Sequence, residues 1–297
     1  LIEIPFGMRN AHLLFISSCF FFLGVWGSNA QAQGAFSDGR LVHSATAETV
    51  PKGALELRMA LRFGDMGGAK GSFENFYGLD ELENLYLGLH YGLSNRIQLG
   101  LSRTKGTGAH RQLINGELKV NILQQSDSTG RLPISLTVAH ATTASVQLAS
   151  NNPESMTYFE DFAHRLSFAS QLIISRKYSK YFSAQASGGY QHRNIAPTTE
   201  GNGLYFAGLG AKIGFSDRWG LVLDGTYPIS DHRTRDNGYY PVLGAGLEYL
   251  RPNGDLFALQ LSNAGGLIEN DFLPYSQSDF TQGELRLGLT FRKHFFQ

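Results

Sequence analysis

Twelve charged or imidazole side chains fall at alternate positions among apolar neighbours: Glu56, Arg58, Arg62, His90, Glu117, Lys119, Lys212, Asp224, Glu248, Glu284, Arg286 and Arg292. Leu55, Leu57, Met59 and Leu61 interleave with the first of them, and Leu285, Leu287, Leu289 and Phe291 with the last. A two-residue period places such groups on one face of a strand and the apolar residues on the other. Facing lipid near the bilayer midplane, a charge of this kind costs about 2–4 kcal/mol. Gathered around a shared interior, charges of both signs offer two chemistries. They line a path whose selectivity they set, or they pair off and close it.

Nucleophilic catalysis needs a hydroxyl or thiol, a base and an orienting group within reach of one another. His140, near Thr142, Thr143 and Ser145, is the best local candidate, followed by His192 beside Arg193 and Asn194. Neither has a recognised catalytic spacing, and Ser262-Asn263 has no histidine nearby in sequence. The expectation is therefore no enzyme, with rim histidines only. Asp231 with His232, and Glu269 with Asp271, are too sparse for a hard cation, which needs several converging oxygens; no metal and no cofactor are expected. Gly67-Gly68-Ala69-Lys70-Gly71-Ser72 lacks the Walker spacing.

The elements that position the charges are strands. In Leu85–Ser102, Leu85, Leu87, Leu89 and Tyr91 alternate with Tyr86, Gly88, His90 and Gly92; after Ser94-Asn95 the alternation resumes, with Ile97, Leu99 and Leu101 against Gln98, Gly100 and Ser102. Alternation broken by a short Ser-Asn connection predicts a hairpin. The theme recurs to give twelve strands. Long connections, near 64–84, 143–163, 228–240 and 263–283 with shorter ones at 104–112 and 194–203, alternate with mostly tight turns. An even number of strands with short turns at one end and long loops at the other predicts an all-β, twelve-stranded antiparallel transmembrane β-barrel of the outer-membrane type.

Aromatic residues support this reading against a soluble sandwich. Phe63, Tyr190, Tyr205 and Tyr227 fall near one rim of the apolar face, and Tyr91, Phe182, Phe215, Trp219, Tyr249 and Phe291 near the other. Ten steps from Tyr205 to Phe215, at about 3.3 Å each and a tilt near 45°, give about 23 Å along the normal, close to the apolar band of a barrel. Gly88, Gly100, Gly208, Gly210, Gly214, Gly244, Gly246 and Gly288 fall on the inward face, where they leave room in the lumen or relieve sheet curvature.

Residues 8–32 read as a signal peptide: Arg9, an apolar run from Leu13 to Trp26, and Ala30 and Ala32 before cleavage. The single cysteine, Cys19, lies inside that run, so a mature chain carries no disulfide. Residues 33–52 read as a periplasmic lead-in and 53–297 as the barrel, with both termini periplasmic. Lys+Arg and Asp+Glu are 25 each, a balance that gives no sign of nucleic-acid binding.

Thr49-Val50-Pro51-Lys52-Gly53-Ala54-Leu55-Glu56-Leu57-Arg58, then Arg62-Phe63-Gly64-Asp65 and Gly78-Leu79-Asp80, resemble an uncharacterised family of outer-membrane β-barrel proteins common in Bacteroidetes. Tyr91-Gly92-Leu93-Ser94-Asn95-Arg96 and Tyr190-Gln191-His192-Arg193-Asn194 carry the resemblance further along the chain. It implies a barrel in the outer membrane of a Gram-negative cell, and no particular activity. One departure is the end of the chain, Phe295-Phe296-Gln297, where such barrels usually finish on an aromatic residue.

The leading expectation is a passive channel for small polar or ionic solutes, in contact with outer-membrane lipid and inserted by the barrel assembly machinery. The alternatives are a closed structural or binding barrel acting through its loops, and a lipid-modifying enzyme. Closure of the barrel is expected to bring Glu56 to Arg292 across the seam of the first and last strands.

Overall fold

The computed structural model describes residues 34–295 apart from 69–70, 127–131 and 198. The signal-peptide reading, with Cys19, and the last two residues of the chain lie outside the described residues. Strand-period alternation becomes twelve strands: β1 (Leu55–Asp65), β2 (Leu82–Ser94), β3 (Ile97–Thr104), β4 (Leu113–Leu123), β5 (Ser135–Ser145), β6 (Leu166–Lys177), β7 (Phe182–Arg193), β8 (Gly203–Gly214), β9 (Trp219–Ile229), β10 (Val242–Leu250), β11 (Leu256–Ser262) and β12 (Arg286–Phe295). Each pairs antiparallel with its sequence neighbours, and β1 with β12 closes the barrel. Closure leaves no sheet edge, so every strand finds hydrogen-bond partners on both sides.

Antiparallel pairing of consecutive strands puts their connections at alternate ends of the barrel. The β1–β2, β3–β4, β5–β6, β7–β8, β9–β10 and β11–β12 loops share one end, the long-loop end. The other end carries the short turns and the 124–134 connection.

The two faces are inverted relative to a soluble protein. Leu87, Leu89, Leu99, Leu101 and Leu209 are exposed on the outside, whereas Arg58, Arg62, Asn115, Thr137 and Gln191 are buried within. Aromatic residues pair across strands near the ends of the outer face: Tyr190 with Tyr205 (centroids 5.0 Å apart), Trp219 with Tyr249 (4.7 Å) and Phe257 with Phe291 (4.9 Å).

The interior differs from the expected lead-in and loops. Residues 34–50, expected in the periplasm, fold into the barrel. Leu41 N–H donates to Ser44 O (2.9 Å) and Thr46 N–H to Gly39 O (3.0 Å), making a small hairpin with Val42-His43 at its tip. The segment then leaves by the short-turn end, where Gly53 N–H donates to Gly92 O. From the opposite end the β11–β12 loop, expected outside the barrel, turns inward through a single helical turn, α1 (Glu269–Phe272), all four residues of which are buried. The reason is unmet hydrogen-bonding capacity: a barrel wall this polar needs partners, and so does intruding backbone.

Candidate functional site

The site is the lumen and the two segments that occupy it. Polar side chains of the wall take the place of sheet partners for the hairpin backbone. The N–H groups of His43 and Ser44 both donate to Asp224 Oδ2 at 2.8 Å. Gln185 donates to Ala45 O (2.9 Å), Val50 N–H donates to Gln98 Oε1 (2.9 Å), and Lys119 Nζ donates to Gly39 O (2.5 Å) and Glu48 O (3.2 Å). Arg292 donates to Ser37 O, Lys212 contacts the Ser37 hydroxyl, and Arg58 pairs with Asp38.

Wall glycines make the space. A Cβ at Gly210 would lie 2.3 Å from Leu41 Cδ1, and one at Gly244 2.6 Å from Val42 Cβ. The room these glycines leave is thus taken up by the hairpin.

The turn α1 reaches three parts of the wall with three successive side chains. Glu269 Oε1 accepts from Gln171 (2.8 Å), Asn270 donates to Thr143 Oγ1 (2.8 Å), and Asp271 Oδ2 accepts from Asn84 (2.8 Å). Phe272 and Leu273 pack with Leu204, Phe206, Val242 and Ala264. The two occupants meet inside the barrel: Arg40 Nη2 lies 2.6 Å from Glu269 Oε2, and the His43 and Phe272 rings meet edge to face at 5.4 Å. Beside this junction only a small cavity of about 20 Å³ remains, lined by Arg40, Glu117, Lys119, Ala139, Gln171 and Glu269.

The expected charged residues divide as follows. Glu56, Arg58, Arg62, His90, Lys119, Asp224, Glu248 and Arg292 are buried on the inner face, and Glu117 is nearly so. Lys212 sits 3.8 Å from Glu248, and Arg286 pairs with Glu83 and donates to Asn263 O. Glu284 is the exception: β12 begins at Arg286, and Glu284 lies before it in the loop, accepting from Asp279 N–H at 2.5 Å. Expected seam partners Glu56 and Arg292 are 3.9 Å apart, but His90 at 3.4 Å is closer to Glu56. The reason is register: Arg292 stands opposite Arg58, and His294 opposite Glu56. Arg62 is the largest fully buried side chain, and its nitrogens make no hydrogen bond among the described residues; Gly288 gives it room.

The strand period divides the catalytic candidates, leaving Thr142 with His140 and turning Thr143 and Ser145 to the other face. His140 is on the outer face of β5, hydrogen-bonded to Ser170 (2.8 Å) and Thr142 (3.0 Å), while Thr143 and Ser145 point inward. His192 faces outward and stacks on Tyr190. The fold supplies Ser262 with the histidine that its own stretch of sequence lacks: Ser262 Oγ is 2.9 Å from His43 Nε2, and His43 Nδ1 is 3.5 Å from Asp224 Oδ1. Hydroxyl, imidazole and carboxylate stand in catalytic order. Yet all three are buried, and the other Asp224 oxygen is held by two backbone N–H groups, so the arrangement docks the hairpin. Among the described residues no group of three or more His, Cys, Asp or Glu side chains is arranged to hold a metal ion.

Among solved structures, the NanC porin aligns with 82% of this chain and 99% of its own at 9% identity and a TM-score of 0.48. The KdgM porin gives the same coverage at 8% identity and 0.48, and the toluene transporter TodX of P. putida covers 84% and 91% at 9% identity and 0.39. No curated protein matches the chain. Residues 36–295 match the family described as membrane bound beta barrel domain, and the chain belongs to that family of membrane-spanning barrels.

Proposed function

We propose that this barrel sits in the outer membrane of a Gram-negative cell, with both termini periplasmic, and is a passive channel for small polar or ionic solutes. Its lumen is held shut by its own hairpin and β11–β12 loop. The observation that carries this reading is how the bore is filled. The wall leaves it open through Gly210, Gly244 and neighbouring small residues, and separate segments held by hydrogen bonds and ion pairs occupy it. A purely structural barrel of this size closes more simply with large wall side chains. Lipid contacts the outer face, the assembly machinery inserts the strands, and no enzymatic role is assigned.

Conductance in planar bilayers tests the reading. A Leu41→Cys, Gly210→Cys pair, in a chain with Cys19→Ser, ties the hairpin to the wall. The oxidised form is expected to stay closed, and the reduced form and wild type to show openings.

A second reading has its own support, because Arg40, Asp224 and Glu269 hold the occupants by several buried contacts each. In that reading the barrel is permanently closed and binds partners through its loops. It stands if neither the reduced pair nor a variant with the hairpin displaced ever conducts.

A further inference from the structure

At the long-loop end, three loops converge on two arginines. Arg193 ends β7, Glu200 lies in the β7–β8 loop, Arg233 in the β9–β10 loop, and Pro274 and Tyr275 in the β11–β12 loop. Arg193 Nη2 and Arg233 Nη2 both donate to the same oxygen, Glu200 Oε2, each at 2.8 Å. The arginine side chains are only 3% and 1% exposed, against 16% for the glutamate. Arg193 sits over the Tyr275 ring at 5.6 Å and Arg233 over the Tyr239 ring at 5.5 Å.

One carboxylate between two guanidiniums leaves an excess positive charge. Donors are also in excess: Arg193 Nε and Arg233 Nη1 are buried without a hydrogen-bond partner. Burial of an unpaired guanidinium donor is unfavourable, and a planar fork suits a carboxylate taken by two nitrogens at once. Burial, and then the charge of Arg193, push the Arg233 pKa below its ordinary value, as expected where positive charge is in excess.

We infer that Arg193 and Arg233 form a binding site for carboxylate-bearing solutes at the mouth of the barrel, with Glu200 occupying it when no solute is bound. A solute carboxylate replaces that of Glu200 and takes up the donors that Glu200 leaves idle. The inference rests on the channel reading for its purpose, since it names the class of solute admitted, but binding itself does not require conduction. Because Pro274 and Tyr275 belong to the loop that carries Glu269 into the lumen, the site also touches the segment that must move for passage.

The test is equilibrium binding of D-glucuronate to the refolded full chain, with D-glucose as the neutral probe and inorganic phosphate as the alternative anion. Glucuronate is expected to bind and glucose not to. Arg193→Gln with Arg233→Gln is expected to lose at least about tenfold in affinity, a loss of about 1.4 kcal/mol or more. Glu200→Gln, which removes the competitor and keeps the shape, is expected to bind several-fold tighter. Equal binding of glucose, unchanged affinity in the double variant, or weaker binding in Glu200→Gln would overturn the assignment; so would phosphate binding in preference to glucuronate. Folding of each variant is checked by barrel mobility on unheated gels, and the Glu200→Gln arm keeps the test decisive if the double variant does not fold. Binding without conductance would retain the site and reject the channel, and conductance without binding would do the reverse.

Discussion

The guanidinium of Arg40 and the carboxylate of Glu269 meet inside the barrel at 2.6 Å, although 229 residues separate them in sequence. Arg40 belongs to the hairpin that enters from the short-turn end and Glu269 to the loop that enters from the other. This ion pair joins the two occupants beside the His43–Phe272 ring contact, and Gln171 and His43 O anchor its two sides.

Breaking that pair exposes its worth. Removing one member of a buried ion pair leaves an uncompensated charge and costs about 3–5 kcal/mol. Arg40→Ala and Glu269→Ala are each expected to raise hydrogen exchange across residues 36–48 and the frequency of channel openings. The swap Arg40→Glu with Glu269→Arg is expected to recover part of the loss. Exchange rates equal to wild type in both single variants would show that the hairpin is held elsewhere.

Wall glycines offer a steric route to the same end. A side chain at Gly210 or Gly244 needs the volume now filled by Leu41 or Val42. Gly210→Leu and Gly244→Val are expected to expel the hairpin while leaving the twelve-stranded sheet intact, because both positions keep their strand pairing. Protease cleavage within residues 34–50, with intact barrel mobility on unheated gels, is the readout.

The outer face carries a sign that conventional folding would not. Leu99 and Leu209 are exposed on the outside of β3 and β8. Leu99→Arg and Leu209→Arg are expected to lower stability in lipid by about 2–4 kcal/mol near the midplane, read as a shift in denaturant midpoint for refolding into vesicles. A soluble sandwich would show little change for an exposed Leu→Arg.

Loop docking should depend on pH through Asp271. Burial holds its carboxyl above the ordinary value of 3.8, against the donors of Thr107 and Asn84. With the loop docked the proton is held more tightly than with it free, so docking is strongest at low pH and weakens as pH rises through the raised value. Exchange of the Thr107 amide, which donates to Asp271 Oδ1, is expected to quicken from about pH 4 to pH 8 beyond its intrinsic rate. In Asp271→Asn that excess should vanish; an excess of the same size in the variant would assign the effect to another group.

Alternation alone told inside from outside. Leu99 and Gln98 are adjacent, yet a period of two sends one to the outer face and the other to Val50 N–H in the lumen. Such patterns are local, so the strands, their number and the two-faced wall follow from sequence without knowledge of any distant residue. Glu284 marks the edge of that logic, since alternation continues past the point where pairing stops and β12 actually begins only at Arg286.

What fills the lumen was decided by tertiary structure. Arg40, His43 and Glu269 lie in segments with no period, and the contacts Arg40–Glu269, His43–Asp224 and His43–Ser262 each join residues 181 or more apart in sequence. A polar lead-in reads as solvated when its sequence is taken by itself. It becomes an occupant only because the closed wall presents unmet donors and acceptors that its backbone satisfies. Convergence of Arg193 and Arg233 on Glu200 has the same origin: three loops meet because the barrel brings their strands to one end.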